Sequence, residues 1–501
     1  MTAMRLVGAG VLAAALLALV VAAPAQATRV LILGPHGATW HEDSYVPSVQ
    51  LPPPVGRAGG GTVAGGHRVS AAGGRRRRKP KLAPTLRVLK ALVTKGAIGA
   101  PEYQADVATY KQAVAAERHL RGTRFRELAA VVANADAMAA AGTLTRERLV
   151  PVFMTLERNT RWWTTAPIPA PGSDVGFSGS ELVWESYAGQ GIELQQLASF
   201  GKANGLWQAH NNTRLRALIG ELVQLAVTRG PSKAWEYYFQ FDGGRPPWTS
   251  AISQGTAIQA LARASQRLND PSLAALAQSA VPLFETAPPA GVRVDRAAGP
   301  FYIIYSFDPR GFVLNAFLQA VIGLHDYAQI TGDPNAQTLF QTGDAEARSV
   351  VPQYDTGAWS LYQPGQEDTI DYHDLVTGFL KRLCSYTSAA VYCDAATHFT
   401  NYLHTPPTIA PTTVRVRAGK PALLAFTLDK VSAVRLQVLR GTRVVFSTGA
   451  QLARGTHRLL WSRPVAGSYV LRLVATDLAG NRADTSGPLT VLPARKRRPR
   501  H

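Results

Sequence analysis

Cysteine is nearly missing from this sequence: 501 residues contain two, Cys384 and Cys393, beside four methionines. So few thiols exclude a cysteine-ligated zinc site and a small fold framed by disulfides. The two cysteines lie close in sequence, and in an oxidising compartment they are expected to form one local disulfide worth at best about 2–3 kcal/mol. No metal-ligating cluster accompanies them, and no Gly-rich phosphate loop or Ser-His-Asp arrangement stands out, so neither a metal nor a cofactor is expected. Acidic residues are scarce, 33 against 53 Lys and Arg, which leaves a formal net charge of +20. Long apolar runs are also missing beyond the first residues, so nothing later in the chain is suited to span a bilayer.

What the N-terminus does have is Arg5, an apolar run from Leu6 to Ala23, a break at Pro24, and Ala25-Gln26-Ala27. That is the pattern of a signal peptide over 1–27 with an A-x-A cleavage site, and it predicts a protein that is secreted or held at the cell envelope. The positive charge is concentrated in Arg75-Arg76-Arg77-Arg78-Lys79 with Lys81, and in Arg495-Lys496-Arg497-Arg498 with Arg500. Both runs read as solvated arms that make electrostatic contact with anionic partners: wall polymers, acidic polysaccharide or lipid headgroups. Export argues against nucleic acid as the partner.

Residues 28–84 are rich in Gly, Pro and Arg, as in Leu51-Pro52-Pro53-Pro54, and are expected to be a disordered linker. From 85 to 405 apolar residues recur at three and four residues, as in Leu86, Leu89 and Leu92. A helix-turn-helix phrase occurs twice there. The run from Ile258 leads into Asn269-Asp270-Pro271, and the run from Phe317 leads into Gly332-Asp333-Pro334. In each, Asp caps the next helix and Pro takes its first position, where a missing N–H costs nothing. Tandem αα-hairpins predict a mainly α domain, an α/α-barrel or toroid with its loops around a central cleft. Residues 410–493 change to period two, with short runs such as Ala422 to Leu428 and Ser468 to Ala475 reading as strands of a small all-β sandwich. The stretch Gly467 to Asn481 resembles the last hairpin of bacterial immunoglobulin-like domains, which act as spacers or adhesive units. The chain thus reads as multidomain, ending in a basic tail over 494–501.

One region, roughly 297–375, is dense in Tyr, Trp and Asp among turn-forming Gly and Pro. Aromatic rings and hydroxyls on loops beside helix ends suit a carbohydrate cleft. A family resemblance rests on the same residues. Phe312-Val313-Leu314-Asn315-Ala316-Phe317 followed by Ile322-Gly323-Leu324-His325-Asp326 is similar to a segment of D-glucuronyl C5-epimerases. So are Tyr354-Asp355-Thr356-Gly357 with Tyr362, Asp371-Tyr372-His373, and, upstream, Ser253-Gln254-Gly255-Thr256. The resemblance implies epimerisation at C5 of glucuronic acid within an acidic polysaccharide. It carries three catalytic tyrosines onto Tyr305, Tyr362 and Tyr372, with Tyr305 and Tyr372 in opposed proton-transfer roles and Tyr362 in support. Asn315, Gln254, Asp355 and His373, all within the matching motifs, are the expected substrate-binding residues. The chain departs from the family at Ile304 and Gly365, where the family has an acidic and a basic group, and Arg310 or Arg382 is a candidate replacement cation.

Two rival readings share this scaffold: a polysaccharide lyase or glycosidase, and an envelope glycan-binding protein without catalysis. Glu181, Glu185 and Glu193 are the carboxylates a glycosidase would draw on, and each is expected to be exposed surface. Trp162 and Trp163 are expected to be structural.

Overall fold

The computed structural model describes residues 27–47 and 82–494. The expected signal peptide, most of the expected linker and the basic tail therefore lie outside the described residues. The first part of the linker expectation is overturned. Thr28–Gly34 (β1) and Gly37–Asp43 (β2) form an antiparallel hairpin, and β1 continues in parallel with Asp174–Phe177 (β3). The reason is local: Val30-Leu31-Ile32-Leu33 is an apolar run of strand length, and Val30, Leu31 and Leu33 are buried. Trp184–Tyr187 (β4) and Gly191–Leu194 (β5) complete a five-stranded sheet in the order β2-β1-β3-β4-β5.

Helices dominate the rest of the chain up to residue 402. Pro84–Thr94 (α1), Ala100–His119 (α2), Gly122–Ala140 (α3) and Arg146–Thr165 (α4) pack against one another, with α3 and α4 also against β5. Trp162 and Trp163 of α4 are fully buried. Then come four hairpins, Gln196–Gln208 (α5) with Asn212–Val223 (α6), Ala251–Leu268 (α7) with Pro271–Ala280 (α8), Leu314–Thr331 (α9) with Pro334–Val350 (α10), and Ile370–Thr387 (α11) with Ala390–Tyr402 (α12). The first members α5, α7, α9 and α11 lie side by side in sequence order, and each second member returns along its own partner. This is the toroid-type arrangement that the paired phrases predict. Asp270 and Asp333 cap α8 and α10 through their side chains, each with Pro next to it. Cys384 of α11 and Cys393 of α12 are bonded.

The contact between α7 and α9 leaves no room for side chains. A Cβ built on Gly255 would stand 2.7 Å from Ala320 Cα, and one on Gly323 would stand 2.2 Å from the Gly255 carbonyl oxygen. Two glycines of the family-like motifs therefore let two backbones touch.

Short ribbons join the helices: Val227–Arg229 (β6) with Ser232–Ala234 (β7), Arg293–Asp295 (β8) with Pro300–Tyr302 (β9), and Leu361–Gln363 (β10) with Gln366–Glu367 (β11). After α12 the chain forms two facing sheets. Ile409–Pro411 (β12), Ala422–Leu428 (β14) and Gly455–Trp461 (β17) make one, in the order β12-β14-β17. Arg415–Arg417 (β13), Ser432–Arg440 (β15), Arg443–Leu452 (β16), Gly467–Asp477 (β18) and Arg482–Leu492 (β19) make the other, in the order β13-β19-β18-β15-β16. Alternate residues such as Leu424, Phe426, Leu436, Val438, Leu471 and Leu473 point inward to a separate core. Among the described residues no helix is long and apolar enough to cross a membrane.

Candidate active site

Three separate segments bring phenols to one place. Tyr305 follows β9, Tyr362 is the middle residue of β10, and Tyr372 lies in the first turn of α11, which Thr369 caps by accepting from the Tyr372 N–H. All three belong to one buried aromatic cluster with Tyr237, Phe239, Phe241 and Trp248, and the half-buried Tyr187 packs against it. The Tyr362 and Tyr372 rings are 5.3 Å apart. Tyr305 lies parallel to Phe307 at 5.1 Å and edge-on to Trp248 at 5.5 Å.

The hydroxyls of Tyr305 and Tyr362 are buried without a hydrogen-bonding partner. Interiors rarely tolerate such groups, because each forfeits its bonds to water for nothing. Their state of charge follows from the surroundings. Burial pushes the Tyr305 and Tyr362 phenols well above the ordinary tyrosine value and raises that of Tyr372. Nearby acidic groups add to this wherever they ionise: Tyr372 and Asp242 act on Tyr305, the other two phenols with Asp368 and Asp242 on Tyr362, and Glu185 and Asp368 on Tyr372. The Tyr362 hydroxyl faces Tyr305 without meeting hydrogen-bond geometry, and opposes its shift as a donor would. All three phenols are therefore neutral near pH 7 and have an O–H to donate.

One carboxyl that reaches this cluster is Glu185, expected from the sequence to be exposed. It is buried, as is Glu193. The register of β3, β4 and β5 sets Asp174 opposite Glu185 and Glu185 opposite Glu193, so the three acids share one face of the sheet. Glu185 Oε2 accepts from the Tyr187 hydroxyl at 2.8 Å and from Gln195 Nε2 at 2.8 Å, and Gln195 also bonds the Tyr187 hydroxyl. Burial pushes the Glu185 carboxyl up to about 7, with the Asp174 charge assisting and the two hydrogen bonds opposing. Burial alone raises Glu193 well above the carboxylate range. Glu181 instead joins Lys202, Arg214 and Asp43 in an ion-pair network that ties β2 to the helices. The alternation Trp184-Glu185-Ser186-Tyr187 was the available signal for a buried strand.

The other expected site residues divide. Asn315 is buried at the start of α9 with its Oδ1 unpartnered. Gln254 is spent on the backbone, accepting from the Trp235 N–H and donating to its carbonyl. Asp355 accepts from the Gly357 N–H and the Tyr402 hydroxyl and pairs with His398, in a separate cleft of ≈ 430 Å³. Arg310 is exposed, and so is Arg382.

His373 is sealed in the core and is not placed to touch a sugar. It stacks on Trp359 at 3.8 Å, with Nε2 at 2.8 Å from the Phe399 carbonyl and Nδ1 at 2.7 Å from Ser360 Oγ. Burial lowers its pKa to about 4, so it is neutral at pH 7. Nε2–H then donates to Phe399, and Nδ1 needs the Ser360 proton. Ser360 Oγ also lies 2.5 Å from Asp368 Oδ2, and burial pushes Asp368 up to about 7. A protonated Asp368 donating to Ser360 completes the chain. Among the described residues no group of His, Cys, Asp and Glu is arranged to hold a metal ion.

Comparison with known proteins adds a sequence-level match. A relative described as a D-glucuronyl C5-epimerase of Caenorhabditis elegans is 35% identical over 130 residues, 23% of this chain and 21% of the relative. An uncharacterized protein of Methanocaldococcus jannaschii is 25% identical over 135 residues, 26% of this chain and 44% of that protein. The chain thus spans less than half the length of either. Among solved structures, cellobiose 2-epimerase from Bacillus thermoamylovorans aligns over 56% of this chain and 75% of its own, with 10% identity and a TM-score of 0.34, too distant to inform the chemistry. Residues 229–401, a continuous stretch that contains all three phenols, match the family described as D-glucuronyl C5-epimerase C-terminus.

Proposed function

We propose that the protein is an exported glucuronyl C5-epimerase-like enzyme that exchanges the C5 proton of glucuronic acid residues in an acidic polysaccharide. The observation that carries this reading is the pair of neutral, buried phenol hydroxyls, on Tyr305 and Tyr362, left without partners in one buried aromatic cluster. C5–H lies α to a carboxylate, and its removal places a second negative charge on the carboxylate oxygens. Two preorganised O–H donors are suited to hold that enediolate, because a buried donor acts with little reorganisation. Tyr305 therefore takes a stabilising role beside Tyr362 instead of serving as base.

Glu185, with a pKa near 7, is matched to accept the C5 proton, and Tyr372, neutral at that pH, has a proton to give. The C5–H pair of electrons passes into the carboxylate, the proton goes to Glu185, Tyr372 returns a proton to the opposite face of C5, and exchange with solvent then takes the proton off Glu185 and restores one to the Tyr372 phenolate. In the reverse direction the two exchange roles.

The test is incubation of the mature protein with a glucuronate-containing polymer in deuterated water. C5 deuterium uptake without growth of ultraviolet absorbance is the expected result. An absorbing unsaturated product would replace this reading with a lyase, and retention on the polymer without uptake would leave a binding protein.

A further inference from the structure

We propose that the C-terminal β-sandwich is a working part of the tyrosine site, with Glu367 a positioning residue that fixes the ribbon presenting Tyr362. The sequence alone makes this module a spacer or adhesive unit, and either needs few bonds to its neighbour. The observed junction is the opposite. Glu367 closes the β10–β11 ribbon, and its two carboxylate oxygens accept from backbone N–H groups of two different sandwich turns: Val431 at 2.9 Å and Arg454 at 2.8 Å. One turn links β14 to β15 and the other links β16 to β17, so a single side chain ties the ribbon to both sheets.

A second tie sits beside it. Lys430, from the first of those turns, is almost fully buried and pairs with Asp477 of β18 at 2.7 Å, each side chain 1% exposed. Its ammonium also donates to the carbonyls of Tyr402, at 3.1 Å, and Thr405 at the end of α12. Asn481 donates to the Leu403 carbonyl at 2.9 Å. A helix C-terminus carries unpaired carbonyls and partial negative charge, and here the sandwich supplies both the donors and the cation.

The same ammonium lies 5.5 Å over the ring of Trp359, which stacks on His373. His373 is next to Tyr372, and the Trp359 Nε1 bonds the Asp368 carbonyl at 2.9 Å, just after Glu367. Tyr362 and Tyr372 are therefore each within a short run of packed or hydrogen-bonded groups from the sandwich. The tyrosine cluster itself shows why that matters. A hydroxyl that must wait unpartnered for substrate gains nothing from its own bonds, so its position has to be imposed by the backbone that carries it.

The effect on turnover rests on the epimerase reading above; the effect on the ribbon does not. Glu367→Ala and the milder Glu367→Gln, in the full chain, are compared by amide hydrogen exchange over residues 359–372 and by C5 exchange on a glucuronate polymer. Exposed Arg472, paired with Asp484 on the sandwich, serves as control through Arg472→Ala. The expected result is faster amide exchange in the ribbon, by about tenfold for Ala and less for Gln, since Gln keeps one acceptor. A fall in kcat at nearly constant KM should accompany it, while the control leaves both readouts unchanged. Ribbon amides protected as in the wild type in both Glu367 variants would overturn the proposal. If the wild type shows no C5 exchange on any polymer, the epimerase reading fails, and the amide measurement still decides the role of Glu367.

Discussion

Tyr372 and His373 are neighbours on one helix, drawn from one family-like motif, and they end in opposite surroundings. Tyr372 joins an aromatic cluster in which two phenols lack partners, while every ring nitrogen of His373 is bonded and its face is stacked. Both are buried, so burial alone does not separate a site from a core. The difference is satisfaction: a core residue closes its hydrogen bonds within the protein, and a site residue leaves them open for something else. A motif match marks both kinds equally.

This contrast can be tested by changing one side at a time. The largest effect is expected at the proton-transfer groups. Tyr372→Phe and Glu185→Gln should each lower the C5 exchange rate by about 10²–10⁴ with the fold intact, as judged by unchanged circular dichroism. A Tyr372→Phe variant that retains wild-type exchange would remove Tyr372 from the chemistry. His373→Ala should do the reverse. It loses two buried hydrogen bonds and a stacked ring, costing about 3 kcal/mol in denaturant unfolding, and its loss of activity should track loss of folded protein.

Asp368 gives a smaller effect with a definite pH signature. Its folded pKa is raised to about 7 from the ordinary aspartate value of 3.8, so between those values the folded state holds a proton that the unfolded state has lost. Stability therefore falls as pH rises through that window and is level above it. Asp368→Asn should remove that part of the slope and stabilise the protein at pH 8 by about 2–3 kcal/mol, with little change at pH 4. Glu185 shifts in the same direction and should account for slope that persists in the variant. The smallest effect expected is Tyr362→Phe, which deletes an unpartnered hydroxyl and should stabilise the fold by about 1 kcal/mol while slowing exchange. A stabilising change that costs activity is a behaviour His373 cannot reproduce.

The repeated helix-loop-helix phrases were legible because capping is local: Asp270 and Asp333 bond the amides two or three residues on, and Pro follows each. The convergence of Tyr305, Tyr362 and Tyr372 was reachable only through motif order, since no spacing rule joins a loop, a strand and a helix. Glu185 was missed because carboxylates are usually exposed, and its burial depends on strands β3 to β5 pairing across distant residues. The bracing role of Glu367 was invisible for a related reason. Its partners are backbone N–H groups, which every residue but proline carries, so their identities leave no trace in the sequence.

The opening hairpin has a practical consequence for anyone dividing this chain. The sheet that holds Glu185 has β1 in its interior and β2 at its edge, and Asp43 anchors them through Lys202 and Arg214. A recombinant fragment trimmed to begin at residue 84 would strip both strands, leave β3 as a raw edge, and invite pairing between molecules.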